Sequence, residues 1–322
     1  MTLYRAVLAP ESPLASPLHS DTLFGAFCWA WVRRFGRESL EENLIFPSLA
    51  GSPPLIFSNV FPHEAFPLPL GCYDLDNRFE TVLDKGERRK RYQEGKKLKS
   101  ARYIAWDAFD RIRRGEWRGF TSELVQGAGE TVTTLHNTVS RESGTVEKLE
   151  DSGSLFGLDR QYFTPSDRFD CYLLSNLSMD TLRDILTLTL TLGVGADKST
   201  GCGVCRLESL IAVPELLLPL EGANAVLILS NFLPARKDPT VGWYQTFPKY
   251  PKLDLELAAG EYPFKKPLLF LKAGSLFRTP SPKSWYGRCI SNVAAVELTV
   301  IVNGCSIALP FRIPNDIVTE DR

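Results

Sequence analysis

A glycine-rich loop between a helix and a strand is the feature that most restricts how this chain can fold. Residues 192–203 read Leu-Gly-Val-Gly-Ala-Asp-Lys-Ser-Thr-Gly-Cys-Gly. An apolar run with helical spacing covers residues 179–192, and a strand-like run covers residues 204–211. Glycines at this density permit positive φ angles and close approach of the backbone to a ligand. Successive free N–H groups can then form an anion-binding concavity, so the sequence predicts a loop that holds phosphate groups.

The order of elements around the loop limits which phosphate ligand fits. A nucleotide P-loop runs strand, GxxxxGK[ST], helix, whereas here a helix precedes the loop and Asp197 stands where the last glycine is required. The dinucleotide fingerprint fails for the same reason of order. The alternatives are therefore a loop that holds a phosphate backbone and a flexible loop without a ligand. The predicted contacts to phosphate are Gly193, Gly195, Lys198, Ser199, Thr200, Gly201 and Gly203.

A second candidate anion site lies near the N-terminus. A strand-like run at residues 2–8 is followed by Pro-Leu-His-Ser-Asp-Thr-Leu-Phe-Gly-Ala at 17–26. Ser20 is a favoured capping residue for a helix predicted at 21–35, whose apolar residues recur at spacings of three and four. The N-terminus of a helix favours anions. Arg33 and Arg34 close the helix, where cations suit the helix dipole.

The remaining pattern predicts an α+β chain in two halves. Six prolines between residues 46 and 70 favour an irregular surface insertion that continues to about residue 130. Two strand-helix-strand units in the first half correspond to the split βαβ plan. A boundary is predicted at 214–224, and evidence for helices beyond it is poor. The other candidate strands are 131–139, 162–174, 225–232, 267–271 and 296–302, the last turning at Asn303-Gly304 into 306–313 as a hairpin.

Composition and cysteine usage limit the functional class. The 322 residues include 37 Lys and Arg against 38 Asp and Glu, so nucleic-acid binding requires a local basic face. Seven scattered cysteines favour reduced thiols in a cytoplasmic protein. Cys202 and Cys205 form a CxxC pair that has no second ligand pair, so we expect no metal and no cofactor. No apolar run reaches the ~20 residues of a membrane span. The sequence begins with a strand, so no signal peptide is expected.

A local basic segment is present at residues 85–102, which contain nine Lys and Arg residues against two Glu residues. Tyr92, Tyr103 and Trp106 are interleaved with it, and aromatic side chains beside cations suit single-stranded RNA. The alternative is a solvated surface helix. The second half has a weaker cluster of glycine, basic and aromatic residues. The candidate contacts to RNA or to another subunit are Arg88, Arg89, Lys96, Lys97, Lys99, Arg102, Arg278 and Lys283.

Two histidines are candidates for acid–base chemistry. His136 lies with Asn137 and Arg141 in a polar stretch, and His19 precedes the first helix. A metal-independent ribonuclease needs a base beside the 2′-OH and a cation or acid at the leaving oxygen. We prefer hydrogen-bonding and RNA-contacting roles for both histidines, because no paired carboxylates accompany them. Arg141 is the better phosphate ligand, since its guanidinium presents a fixed fork of donors.

Several of these segments together resemble one known family. They are His-Ser-Asp-Thr-Leu-Phe-Gly-Ala at 19–26, Leu-His-Asn-Thr-Val-Ser-Arg-Glu-Ser-Gly at 135–144, Gly-Ser-Leu-Phe at 153–156, the glycine loop, and the basic run that ends at 96–110. They are similar to the RAMP proteins of CRISPR effector complexes, and most of all to the fourth subunit of the type III-A (Csm) complex. The glycine loop is common to the superfamily, whereas the first and last segments are more specific to this subunit.

The resemblance implies an α+β fold of two ferredoxin-like (RRM-like) domains. We expect the first at 1–213, with an insertion near 46–130 and the glycine loop at 193–203, and a degenerate second domain at 214–322. The implied function is a non-catalytic scaffold that holds the 5′ handle of the guide RNA. The implied partners are the large polymerase-like subunit and a backbone RAMP subunit. The expected RNA contacts, besides the loop, are His19, Ser20, Arg33, Arg34, His136, Asn137 and Arg141.

Two other functions remain open at this point. One is an endoribonuclease of the same superfamily that processes repeat RNA with His19 or His136 as its base. The other is an assembly adaptor that contacts only protein and whose glycine loop meets no RNA.

Overall fold

The first half of the chain alternates strands and helices, whereas the second half consists of strands. The computed structural model describes residues 1–72, 85–117, 120–137, 148–149, 152–153, 155–254, 263–294 and 300–314. The helices are α1 (Ser20–Phe35), α2 (Arg37–Leu40), α3 (Phe46–Leu49), α4 (Lys85–Ser100), α5 (Trp106–Arg113) and α6 (Met179–Thr191). Across the described residues, none of the helices combines the length and apolar character needed to cross a membrane.

The strands fall into several small antiparallel sheets. In chain order they are β1 (Thr2–Pro10), β2 (Leu55–Pro62), β3 (Ala65–Pro67), β4 (Tyr103–Ala105), β5 (Leu124–Val125), β6 (Glu130–Asn137), β7 (Lys148–Leu149), β8 (Ser152–Gly153), β9 (Leu155–Tyr162), β10 (Phe169–Ser175), β11 (Cys205–Ala212), β12 (Ala225–Ile228), β13 (Gly242–Trp243), β14 (Thr246–Lys249), β15 (Leu268–Leu271), β16 (Leu276–Arg278), β17 (Trp285–Tyr286), β18 (Cys289–Ile290), β19 (Val302–Asn303) and β20 (Ser306–Phe311). This mixture of helices and antiparallel sheets confirms the predicted α+β class.

A four-stranded antiparallel sheet, in the order β11-β1-β10-β2, forms the centre of the first half. Alternate residues of a strand point to opposite faces, and Tyr4, Ala6 and Leu8 of β1 therefore join one core with the buried faces of α1 and α6. The helix α6 begins with Ser178, whose hydroxyl accepts a hydrogen bond from the Thr181 N–H at 3.1 Å. Central strand β1 pairs with β10 and β11, which lie more than 150 residues further along the chain.

The segment at 46–70 is more regular than its prolines indicate. The prediction of an irregular surface stretch is wrong, because β2 is a strand of the central sheet and Leu55, Ile56 and Phe57 are buried. Its prolines cause no conflict, since Pro54 precedes the strand and Pro62 ends it, and β2 lies at the sheet edge, where proline is tolerated. The long insertion therefore separates β2 from its neighbour β10.

Two extended features belong to this insertion. One is the basic helix α4, which follows the prediction of a partly helical basic segment. The other is a two-stranded ribbon in which β6 pairs with β9 over its whole length, from Glu130 opposite Tyr162 to Asn137 opposite Leu155. Its root is tied to the N-terminal segment, where Leu14 and Gln161 exchange backbone hydrogen bonds of 3.0 and 2.9 Å.

The second half contains a five-stranded sheet, in the order β13-β16-β12-β20-β17. Within residues 214–254, 263–294 and 300–314, the helical residues form one short turn, Pro214–Leu217. The predicted hairpin through Asn303-Gly304 is wrong, because β19 pairs with β18, and β20 pairs with β12 and β17 instead. The Asn303 side chain accepts a hydrogen bond from the Cys305 N–H at 2.9 Å, which turns the chain between the two sheets.

One core joins the two halves. Leu174 of the first sheet and Leu227 and Leu309 of the second lie in the same buried cluster, together with Phe66 and Phe109 of the insertion. The rings of Phe66 and Phe109 are stacked with centroids 4.3 Å apart. Because full burial of a Phe side chain is worth about 1.5–3 kcal/mol, the start of the insertion is firmly held between the two sheets.

Candidate nucleic-acid interface

The glycine loop adopts the backbone conformation that its composition predicts. Gly193, Gly195, Gly201 and Gly203 have φ angles of 82°, 96°, 87° and 84°, and Asp197 is also left-handed at 57°. Gly203 cannot be replaced without a shift of the main chain, because a Cβ there would lie 2.2 Å from the Val194 carbonyl oxygen. Gly201 has no atom within 4 Å of the corresponding position. The loop is therefore tightly closed at its base and open at its tip.

Hydrogen bonds at the base fix the loop to the N-terminal segment. The Gly203 N–H donates to the Pro13 carbonyl at 2.9 Å, and the Ala196 N–H donates to the Ser16 hydroxyl at 3.0 Å. Three predicted amides, those of Gly193, Gly201 and Gly203, are used inside the protein and so shape the loop rather than bind a ligand. Within the described part of the chain, by contrast, four loop N–H groups have no acceptor. These belong to Gly195, Asp197, Lys198 and Ser199.

The cations of the loop region are each matched by a carboxylate. Lys198 forms an ion pair with Asp254 of the second half. Arg160, at the root of the ribbon, lies 3.4 Å from Asp197, whose hydrogen bond raises the pKa of the guanidinium. The Nε atom of Arg160 is buried and has no partner within the described residues. The sequence gives no signal for Arg160, which reaches the loop only through the pairing of β9 with the N-terminal segment.

One hydroxyl group of the loop is hydrogen-bonded inside the protein, and the other is exposed. Thr200 donates its hydroxyl hydrogen to the Asp197 carbonyl at 2.9 Å, so it stabilises the loop. Ser199 is exposed at the tip. The loop donors without an acceptor in the described chain are therefore the four amides and the Ser199 hydroxyl, whereas the ammonium of Lys198 is held by Asp254.

The start of α1 is a contact between the two halves rather than an open anion site. His19, not Ser20, occupies the N-cap position, and the His19 side chain makes no capping hydrogen bond. The RNA contact of Ser20 stays a prediction; in this chain its side chain is buried, and its hydroxyl accepts a hydrogen bond from the Asn231 N–H at 3.1 Å. Asn59 accepts from the Ser20 N–H at 2.9 Å and donates to Asn231 at 3.1 Å.

His19 and Asp21 extend this contact toward β14. Lys249 forms an ion pair with Asp21 at 2.7 Å and donates to the Thr22 hydroxyl at 3.1 Å. Phe247 lies with its ring centroid 6.0 Å from that of His19. Burial, and secondarily the nearby Lys249 charge, lowers the pKa of His19 to about 4, while Asp21 acts in the opposite direction. His19 is therefore neutral near pH 7 and poorly suited to accept a proton.

Arg33 and Arg34 lie at the other end of α1, about 20 Å from His19 at 1.5 Å per residue. Both are exposed, and Arg34 forms an ion pair of 2.9 Å with Asp184 near the middle of α6. The glycine loop follows the end of α6. The two arginines therefore lie apart from the loop, and their predicted contact with RNA stays a prediction.

His136 and Asn137 lie near the far end of the ribbon, about 17 Å from its root at the strand rise of 3.3 Å per residue. His136 shares a hydrogen bond of 2.9 Å with the Thr134 hydroxyl, and its ring stacks on Phe156 with centroids 5.9 Å apart. The ribbon also exposes apolar side chains, such as Leu135, which is 74% exposed. Arg141 lies outside the described residues.

The other predicted cations occupy two separate surfaces. On α4, Arg89, Lys96, Lys97 and Lys99 are exposed, and the Lys96 ammonium lies 4.9 Å from the centre of the Tyr92 ring. Arg102 is exposed just after the helix, and the side chain of Arg88 lies outside the described part. Lys283 is in the second half and lines a cleft of about 610 Å³ against α3, and Arg278 is half-buried on β16.

Within the described ranges, no cluster of three or more His, Cys, Asp and Glu side chains is arranged to hold a metal ion. No protein-family model matches the sequence, and no curated protein matches it. Solved structures do match. One chain of the crystal structure of a Csm1–Csm4 cassette in complex with cA4 has a TM-score of 0.63 at 18% identity, covering 97% of this chain and 99% of that chain. The same cassette in complex with pppApA gives a TM-score of 0.62 at 18% identity, with the same coverage.

A second kind of assembly matches equally well. A chain of the Csm3–Csm4 subcomplex of a type III-A CRISPR-Cas interference complex has a TM-score of 0.62 at 16% identity, covering 97% of this chain and 100% of that chain. Csm4 is the component that the two kinds of assembly have in common. The resemblance predicted from the motifs is thus confirmed at the level of the fold: this chain has the fold of a Csm subunit, matched over nearly its whole length.

Proposed function

We propose that this chain is a non-catalytic, RNA-binding scaffold subunit of a type III-A CRISPR interference complex, and that residues 193–203 hold the 5′ handle of the guide RNA. The observation that carries the proposal is the loop itself. Four N–H groups without an acceptor in the described chain lie beside Lys198 and Arg160. Such a concavity of amides with adjacent cations suits phosphate. It lies at the root of a ribbon with exposed aromatic and apolar side chains.

The topology of the first half supports a ferredoxin-like domain. In the central sheet, the fourth strand along the chain lies beside the first, followed by the third and the second, with α1 and α6 on one face. This is the β-α-β-β-α-β arrangement. The second half has a five-stranded sheet whose described residues contain no long helix, in keeping with a degenerate second domain. These two features support the proposal that the chain is a RAMP protein.

The two histidine sites support a binding role rather than RNA cleavage. His19 is enclosed between α1 and β14 and has a lowered pKa. His136 lies at the ribbon's far end and its described partners are Thr134 and Phe156, neither of which is an acid. The structurally similar chains come from assemblies of Csm4 with Csm1 and with Csm3. We therefore also propose docking to a large polymerase-like subunit and a backbone subunit, in the cytoplasm.

The proposal is tested by Lys198→Ala in the purified chain, with binding of a 5′-labelled guide RNA followed by fluorescence anisotropy. Loss of one phosphate contact should weaken binding about fivefold and flatten the log–log salt dependence by about 0.7. Lys237→Ala is the control, because Lys237 is exposed in the turn at the α3 cleft. Equal affinities and equal salt slopes for the two variants would contradict the assignment of the loop.

The basic helix α4 is tested separately by reversing the charges of Arg89, Lys96 and Lys97 with Glu. If α4 contacts RNA, affinity should fall about tenfold at low ionic strength, and ~0.5 M salt should remove the difference because it screens exposed charges. Normal RNA binding together with loss of the large subunit from the purified complex would assign α4 to protein docking. Normal RNA binding and normal assembly would leave α4 as a solvated helix.

A further inference from the structure

The carboxylate of Asp254 forms an ion pair with Lys198, the cation of the glycine loop that is proposed to bind RNA. We propose that Asp254 is an internal counter-anion: it holds the Lys198 ammonium in the RNA-free protein, and a phosphate group of the bound RNA replaces it there. This inference rests on the proposed function, because it takes RNA as the ligand of the loop.

The position of the ion pair supports an exchange of partners. Lys198 lies on the short helical turn of the loop in the first half, and Asp254 follows β14 in the second half. Their side chains are 20% and 33% exposed, so solvent and a ligand can reach both. Solvent that reaches an ion pair weakens the attraction between its two charges. A phosphate group can therefore displace the carboxylate at small cost to the fold.

The two anions are not equivalent ligands for the loop. The Asp254 carboxylate accepts a hydrogen bond from Lys198. An RNA backbone phosphate can accept from Lys198 and also from the amides of Gly195, Asp197 and Ser199. Charge-assisted hydrogen bonds to several donors at once are stronger than a single one. The bound RNA thus gains contacts to loop amides that have no acceptor in the described chain, which gives the exchange its direction.

A neighbouring ion pair shows why only Asp254 is assigned this role. Lys249 and Asp21 also link the two halves, but Asp21 is 6% exposed and Lys249 additionally donates to Thr22. That pair belongs to the contact at the start of α1, where the carboxylate of Asp21 is buried although the Lys249 side chain is 20% exposed. In the Lys198–Asp254 pair the carboxylate is the more exposed partner, at 33%.

The counter-anion also affects selectivity. Arg160 is matched by Asp197 as Lys198 is matched by Asp254, so the loop region without RNA carries two cations and two carboxylates. An unmatched cationic patch attracts any polyanion. A ligand must displace these carboxylates before it binds the cations. This requirement lowers the affinity of ligands that make few phosphate contacts and so favours ligands that make several.

The decisive measurement is a double-mutant cycle of Asp254→Asn and Lys198→Ala, read by anisotropy with 5′-labelled guide RNA and with an unrelated single-stranded RNA. Asp254→Asn should tighten binding of both RNAs two- to fivefold, with the larger gain for the unrelated RNA. The gain should vanish in the Lys198→Ala background. Glu41→Gln is the matched control, because it removes a carboxylate from the partly exposed Arg37–Glu41 ion pair and should change neither affinity.

The outcomes separate the inference from the proposed function. Unchanged or weaker binding by Asp254→Asn, with Lys198→Ala still weakening binding, would overturn the counter-anion and leave the loop as an RNA site. A gain that persists in the Lys198→Ala background would overturn it too, because the effect would not pass through Lys198. Equal binding by Lys198→Ala and the unmodified chain would contradict the RNA contact itself.

A second readout does not depend on RNA. Acetylation of lysine amines by an acylating reagent, followed by mass spectrometry, reports how available Lys198 is in the free protein. Asp254→Asn should raise the labelling rate of Lys198 about threefold relative to Lys237, since the Lys198 amine is then no longer held against a carboxylate. An unchanged ratio would contradict the pairing.

Discussion

Two neighbouring clusters use the same kinds of residue for different purposes. The glycine loop and the start of α1 both contain Ser or Thr, Asp and a nearby Lys, and the segment around β14 contacts both. In the loop, amides remain without acceptors in the described chain and the ion pairs are partly exposed. At the start of α1, Ser20 and Asn231 are 4% and 1% exposed and are hydrogen-bonded to one another. Exposure, not composition, separates a binding surface from an internal contact.

The largest expected effect concerns the base of the loop compared with its tip. Gly203→Ala should destabilise the protein by about 3 kcal/mol or more, because the new Cβ would overlap the Val194 carbonyl oxygen and force the backbone to move. Gly201→Ala has the same positive φ but open space, and should cost only about 1 kcal/mol. Denaturant unfolding measures both. Similar losses for the two variants would mean that the loop base can relax.

The next effect concerns the contact at the start of α1. Asn59→Ala removes the acceptor of the Ser20 N–H and the donor to Asn231, and should cost about 2–3 kcal/mol because buried polar groups are left unpaired. Asn43→Ala is the control, since Asn43 is exposed and bonds only within its own helical segment. RNA binding by folded Asn59→Ala should equal that of the unmodified chain. A folded Asn59→Ala variant that lost RNA binding would show that the start of α1 also takes part in RNA binding.

The smallest of the three effects is a pH dependence. The pKa of His19 is about 4 in the folded protein and near 6.5 in the unfolded chain. Between about pH 4 and pH 6.5, His19 is therefore protonated in the unfolded chain and neutral in the folded protein. Stability should therefore fall as pH drops from about 6.5 to about 4, by about 2 kcal/mol after allowance for solvent. His19→Gln should flatten this part of the stability profile measured by thermal unfolding. An identical profile would mean that His19 is open to water.

Local patterns in the sequence predict the helices α1 and α6 and the left-handed glycines well, because spacing and glycine content act over a few residues. Sequence-based prediction fails where the local structure depends on contacts between residues that are far apart in the chain. Asn59 and Asn231 are 172 positions apart, and no local pattern shows that they bury Ser20. Arg160 reaches the loop through a strand pairing. β2 is hidden by its prolines, and the hairpin at Asn303-Gly304 fails because β20 finds its partners elsewhere.

The pairing of β1 has a consequence for how the chain is made. Its neighbours in the sheet are β10 and β11, so Thr2 faces Ser175 and Tyr4 faces Ala212. At roughly 5–20 residues per second on the ribosome, β1 waits for roughly 10–40 s before both of its partners exist. An unpaired apolar strand is an aggregation hazard during that interval, and a charge within it is protective. Arg5, which the finished fold holds 2.8 Å from Asp170, supplies that charge, so one side chain serves the nascent chain first and the folded sheet afterwards.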